Sequence, residues 1–301
     1  MAGGTLHLVA TPIGNLGDVT LRAIEVLRAV PLIAAEDTRV TRRLLARYEI
    51  TTHTTSYHAQ SDPGRLEALL AHLRSGADLA LVTDAGTPGV SDPGAELAAA
   101  WAAEGGRVEA VPGASAVLTA VAVSGIAGPR WSFEGFLPRR GRDRRERLVR
   151  ISGDERGSVI FESPRRLDGT IADLVEACGP DRPAVVCREL TKLHEQVVRG
   201  TLGELAEALR SGSVDTRGEA VIVVGWYSQA DEVPLKGGRR AGAAPGRDAD
   251  PLTDGDPLAS ALARVDVLVL GGISRGDAAR KVALETGLAR RALYRVKEPT
   301  D

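Results

Sequence analysis

The sequence is poor in the residues that build several common kinds of site. Two cysteines, Cys178 and Cys187, occur in 301 residues. They are too few for a disulfide framework, and a reducing, cytoplasmic setting is expected. The five histidines (His7, His53, His58, His72 and His194) are scattered. With the two cysteines they show no metal-ligand spacing, so no metal site is expected. No apolar run approaches the roughly 20 residues that cross a bilayer. The opening stretch MAGGTLHLVA also lacks the basic start of a secretory signal, so no membrane association is expected. Aromatic residues make up only 3% of the chain, which disfavours the stacking platforms of single-strand binders. Lysine is the scarcest charge, confined to Lys192, Lys236, Lys281 and Lys297.

What remains is an ordinary globular composition, 43% hydrophobic and 26% charged, on a chain long enough for two domains. The net charge of -2 is an average. Arginine supplies nearly all the positive charge, so local arginine runs say more about partners than the sum.

Short β-like runs alternate with helical stretches in the first part. Strands are expected at 5–10, 31–35, 78–83 and 107–111. Helices are expected after Asp18, which reads as an acidic cap, around Leu66–Leu73 and over Glu96–Ala103. This alternation predicts a mostly parallel α/β sheet. The pattern breaks at 125–130, a candidate hinge. A second α/β unit follows, with strands near 131–136, 158–161, 184–188, 195–200 and 220–226, and helices around 166–178 and 202–209. The strands near 184–200 have no helix between them, which predicts a mixed sheet. The stretch 230–257 is rich in Gly, Pro and charge and reads as a flexible linker. Helical periodicity returns at Leu258–Tyr294, a small helical tail. The expected domains are therefore 1–126, 130–229 and a basic helical unit at 258–301.

Gly/Pro-rich loops follow three strands of the first unit: 11–17, 84–93 and 112–115. In open α/β sheets ligands bind beyond the carboxyl ends of the strands, so these loops are the expected site. The segment TPIGNLGD fits neither the dinucleotide G-x-G-x-x-G pattern nor a P-loop, which disfavours ordinary NAD and ATP enzymes. In the loop DAGTPGVSDP, Asp92 or Ser91 reads as a helix cap and Asp84 as the functional acid.

Seven segments occur in order: VATPIGNLGDVTLRA, AAEDTR, VTDAGTPGVSDPG, VPGASA, FEGFLPRRG, ESPRRL and CRELTK. Taken together they resemble the tetrapyrrole methylase-like family, in its branch that methylates ribosomal RNA. The resemblance runs from Thr5 to about Tyr227. It implies two α/β domains of the non-Rossmann tetrapyrrole methylase type, with S-adenosyl-L-methionine bound between them. It further implies a homodimer that methylates the ribose 2′-hydroxyl of a cytidine in 16S rRNA, near the decoding centre of the small ribosomal subunit. By position, Pro12, Ile13 and Gly14 would face the cofactor. Asp84, Gly86, Thr87 and Val90 would hold its amino-acid and ribose portions. Ser115 and Ala116 would continue that wall, and Leu190 and Ala220 would close on the adenine. Gly86-Thr87-Pro88 stands where tetrapyrrole methylases often carry Gly-Asp-Pro, which favours RNA over a porphyrinoid.

Transfer to a hydroxyl needs in-line alignment and a group that accepts the proton. Glu36, Asp37 and Lys192 are the catalytic candidates at strand ends, with Glu162, Glu189 and His58 as further acids or bases. A desolvated Lys192 could lose its proton or stabilise an alkoxide, while a solvated Lys192 binding phosphate is an equal alternative. Glu36, Asp37 and Arg39 could equally form a structural ion-pair cluster.

Residues 139–150 carry seven arginines against two acids, a local balance of +5. Arg139, Arg140, Arg142, Arg144 and Arg145, with Arg165 and Arg166 nearby, are the expected RNA contacts. The tail from Leu258 has a balance of +3, which suits either RNA docking or a dimer-stabilising bundle. Two other readings stay open: the same cofactor with a tetrapyrrole or protein acceptor, and a non-catalytic ribosome-binding protein.

Overall fold

The structure, a computed structural model, describes residues 3–58 and 60–226 and, in the tail, 261, 262, 264, 265, 268, 269, 274–286 and 293. The chain divides into two compact units, Met1–Pro234 and Leu235–Asp301. Both β-sheets lie in the first.

The first sheet contains β1 (Thr5–Val9), β2 (Leu32–Ala35), β3 (His53–Ser56), β4 (Leu79–Val82) and β5 (Arg107–Val111). Their order is β3-β2-β4-β1-β5, and every pairing is parallel. A parallel sheet must be covered on both faces, and β4 accordingly reads Leu-Ala-Leu-Val with every residue buried. On one face, Leu27 of α1 (Leu21–Ala29) and Leu44 and Leu45 of α2 (Thr38–Arg47) pack with Ile33, Ala80 and Val82. On the other, Leu69 and Leu73 of α3 (Pro63–Arg74) and Leu97 and Trp101 of α4 (Ala95–Ala103) pack with Leu6, Leu79 and Leu81.

Two expected helix caps differ. Helix α1 starts two residues later than the acid implied: Thr20 is the cap, accepting the Ala23 N–H at 3.1 Å, and Asp18 sits in a preceding 3-10 turn. Helix α4 begins after Gly94, which has no side chain to cap with, so neither Ser91 nor Asp92 serves that purpose.

The second sheet contains β6 (Trp131–Phe136), β7 (Gly157–Glu162), β8 (Pro183–Arg188), β9 (Gln196–Thr201) and β10 (Ala220–Val224). The order is β6-β7-β10-β8-β9. Only β6 and β7 pair in parallel; the other pairings are antiparallel, so the sheet is mixed. Helices α6 (Arg142–Gly153), α7 (Pro164–Cys178) and α8 (Leu202–Arg210) cover one face through Leu148, Leu167, Ile171 and Leu205. The other face is covered by α5 (Ala116–Ser124), whose Val117 and Ala120 pack against Val159, Val185, Val221 and Val223. Thus α5 leaves the first sheet and seats itself on the second. It ends at Gly125, where φ is +70° and glycine serves as the left-handed terminator.

In the tail, Arg275–Thr286 is a helix. Ala261, Val265, Ala278, Ala279, Val282 and Leu293 share a small buried cluster. The expected linker 230–257 and the basic residues 290, 291, 295 and 297 lie outside the described residues.

Candidate active site

The strand order locates the site. The chain leaves β1 past β4 to reach β2, and leaves β4 past β1 to reach β5. The two connections thus pass each other on opposite faces of the sheet, and in open α/β sheets ligands bind outside the carboxyl ends of the strands. There the loops after β1 and β4 are tied by an isolated bridge. The Thr11 N–H donates to the Gly86 carbonyl at 2.8 Å, and the Gly86 N–H donates back at 3.0 Å. The buried Thr11 hydroxyl donates to the Thr83 carbonyl at 3.0 Å. Gly86 has φ +84°, a conformation that side chains other than glycine adopt at a cost. Ser91 has φ +65° without being glycine, a local strain of the kind that collects at functional sites. The loop after β5 ends in Ser115, whose side chain caps α5 at the Leu118 N–H.

These loops and strand ends of the second sheet line a cavity of about 310 Å³. Eight of the expected cofactor residues meet on its wall: Ile13, Gly86, Thr87, Val90, Ser115, Ala116, Leu190 and Ala220. Pro12, Gly14 and Asp84 do not line it. Gly14 lies beneath the loop after β8, where a side chain would strike the Lys192 stem and the Leu190 carbonyl. Asp84 turns toward its neighbours at the rim. It accepts the Asp37 N–H at 3.0 Å, while its own N–H donates to Glu36 at 3.2 Å. The wall also includes Asp92, Phe136, Phe161, Glu162, Cys187, Glu189 and Glu219. Burial pushes the Cys187 thiol up to about 11, so it is inert at neutral pH.

The three catalytic candidates are not equivalent here. Asp37 is clamped by the Arg39 guanidinium and backbone N–H, which hold its carboxyl far below the usual range. It is a poor proton acceptor. Lys192 places Nζ 2.9 Å from both Glu189 Oε1 and Glu219 Oε2. Partial burial disfavours its charge, but the two carboxylates outweigh that and raise its pKa above the ordinary lysine value. Lys192 is therefore a cation, and proton loss is disfavoured. Glu36 is pushed up by burial and by the nearby Asp84, against the Asp84 N–H that it accepts. Glu162 lies in the wall with its side chain buried, accepting from the Ser163 N–H at 2.8 Å and the Thr170 hydroxyl at 2.6 Å.

The arginine run splits in the same way. Arg139, Arg140, Arg145 and Arg165 are exposed. Arg142 is exposed and pairs with Glu146 one helical turn on. Arg144, an expected RNA contact, is only 8% exposed. It donates to Asp173 at 2.7 Å, the Pro138 carbonyl at 2.9 Å and the Thr170 hydroxyl at 3.0 Å. Its position points inward because the same helical turn places Leu148 and Ile151 on the core side. Arg166 is half-buried and reaches the Leu137 and Pro138 carbonyls and Glu162. Both residues hold the fold together.

Two features escaped the sequence reading. Asp92 stands on the cavity wall rather than at a helix cap. Helix α2 carries Arg39, Arg42, Arg43 and Arg47 on its exposed side, opposite Thr41, Leu44 and Leu45. The arginine spacing is a helical stripe with no acid among them, a signal present in TRVTRRLLAR once a helix is recognised there.

Residues 5–206 match the family of tetrapyrrole (corrin/porphyrin) methylases. A relative from Synechocystis sp. called ribosomal RNA small subunit methyltransferase I is 43% identical over 293 residues, covering 97% of both chains. A protein of the same name from Mycobacterium tuberculosis (strain H37Rv) is 40% identical over 297 residues, covering 98% of this chain and 94% of that one. Among solved structures, a cobalt precorrin-4 methyltransferase superposes with a TM-score of 0.57 at 22% identity, covering 74% of this chain and 95% of the other. Uroporphyrin-III C-methyl transferase from Thermus thermophilus, complexed with S-adenyl homocysteine, gives 0.53 at 20% identity, with 74% and 97% covered. At those identities the structural likeness establishes the fold alone.

Proposed function

The chain belongs to the tetrapyrrole (corrin/porphyrin) methylase family and is an S-adenosylmethionine-dependent methyltransferase; from that premise we propose that its acceptor is small-subunit ribosomal RNA. More closely, the acceptor is the ribose 2′-hydroxyl of a cytidine near the decoding centre of the small subunit. The observation that carries the RNA reading lies at the cavity mouth. Phe136 forms part of the wall and is 57% exposed. The chain then passes Pro138 to the exposed Arg139 and Arg140. Exposed cations three and four residues from a wall residue suit a polyanion whose backbone runs past the cavity.

The cavity fits the methyl donor on its own chemistry. Its volume lies at the lower end of the usual range for small-molecule sites. Ile13, Val117, Leu190 and Val221 offer an apolar slot for a flat base. Asp92, Glu189 and Glu219 give a negative surround that favours a cation. When bound, the donor supplies a methyl group on a positively charged sulfur. The protein has to exclude water, hold the acceptor oxygen in line and receive one proton. Lys192, held between Glu189 and Glu219, braces the loop after β8 against Gly14, and so fixes the Leu190 side of the cavity to the first sheet. Exposed arginines on α6, on the loop before it and on α2 then position RNA through its phosphates. The homodimer and the cytoplasmic setting belong to the same proposal, supported by the resemblance. Among the described residues no helix is long and apolar enough to cross a membrane.

The test offers isotopically labelled donor to purified small subunits, naked ribosomal RNA and a protein extract. Label in the RNA of the subunit is the expected result. Label in protein alone would overturn the RNA assignment.

A further inference from the structure

Strand β6 carries one residue more than its neighbour needs. Phe133 pairs with Val159 and Phe136 with Phe161, and the ladder shifts between Phe133 and Gly135. Side chains alternate along a regular strand, which would send Phe133 and Phe136 to opposite faces. The bulge cancels that alternation. Val159 and Phe161 share the face that α5 covers, and Phe136 is brought to that face. Its ring lies 5.6 Å from that of Phe161, which in turn lies 4.9 Å from Phe133. Leu137 then falls into the core on the other face. The bulge is held in place. Gly135 takes φ +61°, and Arg147 of α6 donates to the Glu134 carbonyl at 3.0 Å and to its carboxylate at 2.9 Å.

The side chain turned in this way lines the cavity, yet it is 57% exposed. Burying it in the core under α6 and α7 would have removed more apolar area from water. Among the described residues the other exposed aromatic side chain is Trp226, which does not line the cavity. The donor's flat base has its slot elsewhere. Leu190 on that side follows β8, three strands from β6 in the sheet, about 14 Å away at the usual strand spacing.

Resting on the RNA acceptor proposed above, we propose that Phe136 is the platform on which the acceptor nucleotide's own base stacks. The ring orients the plane of the base, and so sets the direction in which the ribose 2′-hydroxyl enters the cavity. Phe161 braces the ring at an interplanar angle of 61°, an arrangement aromatic pairs prefer. Arg139 and Arg140, exposed and three and four residues further on, hold the flanking phosphates. One ring serves one turned-out base, which differs from the rows of rings on single-strand binders.

The experiment compares the wild-type chain with Phe136→Leu, which keeps apolar bulk, and Phe136→Tyr, which keeps the ring. Single-turnover transfer to small subunits is followed at saturating S-adenosylmethionine over a range of subunit concentrations. The temperature is one at which circular dichroism shows all three proteins folded. Calorimetry gives the affinity of each for S-adenosylhomocysteine. At limiting subunit concentration Phe136→Leu should lower transfer by about 10-fold or more, and Phe136→Tyr should restore it to within about threefold of wild type. Both should bind S-adenosylhomocysteine within about threefold of wild type. Equal losses in the two variants would overturn the proposal. A Phe136→Leu loss matched by the same loss of S-adenosylhomocysteine affinity would also overturn it, and would give the ring to the donor's base. If the wild type itself transfers no methyl to RNA, the acceptor reading fails. An unaltered Phe136→Leu rate on RNA overturns the stacking role alone.

Discussion

Arg144 and Arg145 are adjacent on α6, and the structure gives them opposite roles. Replacing Arg144 with Ala removes a guanidinium that is 8% exposed and joined to Asp173, Pro138 and Thr170. Breaking a buried charged pair costs about 3–5 kcal/mol. Asp173 is 40% exposed and water can take over part of its partnership, so the lower end, about 3 kcal/mol, applies. For a chain of this size that corresponds to a fall in melting temperature of about 6–12 °C. The damage should reach the cavity, because Thr170 accepts from Arg144 and donates to Glu162 on the wall. Arg145→Ala removes an exposed side chain with no partner among the described residues, so stability should change by less than about 0.5 kcal/mol. Its effect should fall on RNA, lowering the log–log salt slope of subunit binding by about 1. Calorimetric melts paired with filter binding across a salt series separate the two. An Arg144→Ala protein that melts within a degree of wild type, or an Arg145→Ala protein that melts as low as Arg144→Ala, would refute this division.

Other substitutions probe the remaining parts. Arg42 and Arg43 project from the exposed side of α2; changing both to Gln should reduce the salt slope for RNA by about 1.5 while leaving S-adenosylhomocysteine affinity unchanged by calorimetry. Lys192→Ala should destabilise by about 1–2 kcal/mol at pH 7, between exposed and buried ion pairs. Although burial opposes its charge, Glu189 is held below the usual carboxylate value by Lys192 and the Glu219 N–H. Stability from a depressed carboxyl is present above its unfolded pKa and lost as pH falls through the folded one. The melting gap between Lys192→Ala and wild type should therefore narrow at pH 4. Gly86→Ala meets only ordinary contacts at Ile13, so its cost of about 1–2 kcal/mol comes from the left-handed backbone; both melting and S-adenosylhomocysteine affinity should drop.

The parallel sheet was legible because its central strands Thr5–Val9 and Leu79–Val82 are short apolar runs closed by Gly/Pro loops. The edge strand Arg107–Val111 also falls at its expected range. The strand His53–Ser56 was not, since HTTS has no apolar pattern; it is an edge strand with partial exposure. Helix α2 was hidden by the same rule, its four arginines masking the buried Thr41, Leu44 and Leu45. The cavity loops could be read from composition, but which acid does what could not. Asp84 and Asp92 are the same residue type eight positions apart, and only the hydrogen bonds of the fold occupy one and leave the other free. Composition likewise could not tell Arg144 from Arg145, because helix phase decides which one turns inward. The net charge of -2 thus averages an acidic cavity with arginine surfaces on α2, α6 and the loop before α6.

The chemical identity of the product decides whether the acceptor is a ribose 2′-hydroxyl of small-subunit RNA. Small-subunit RNA treated with the wild-type protein and labelled donor is digested to nucleosides and resolved by mass spectrometry. Label is expected in 2′-O-methylcytidine alone, at one position per subunit. Label on a base, on another nucleoside, or on a porphyrinoid supplied in competition would contradict it.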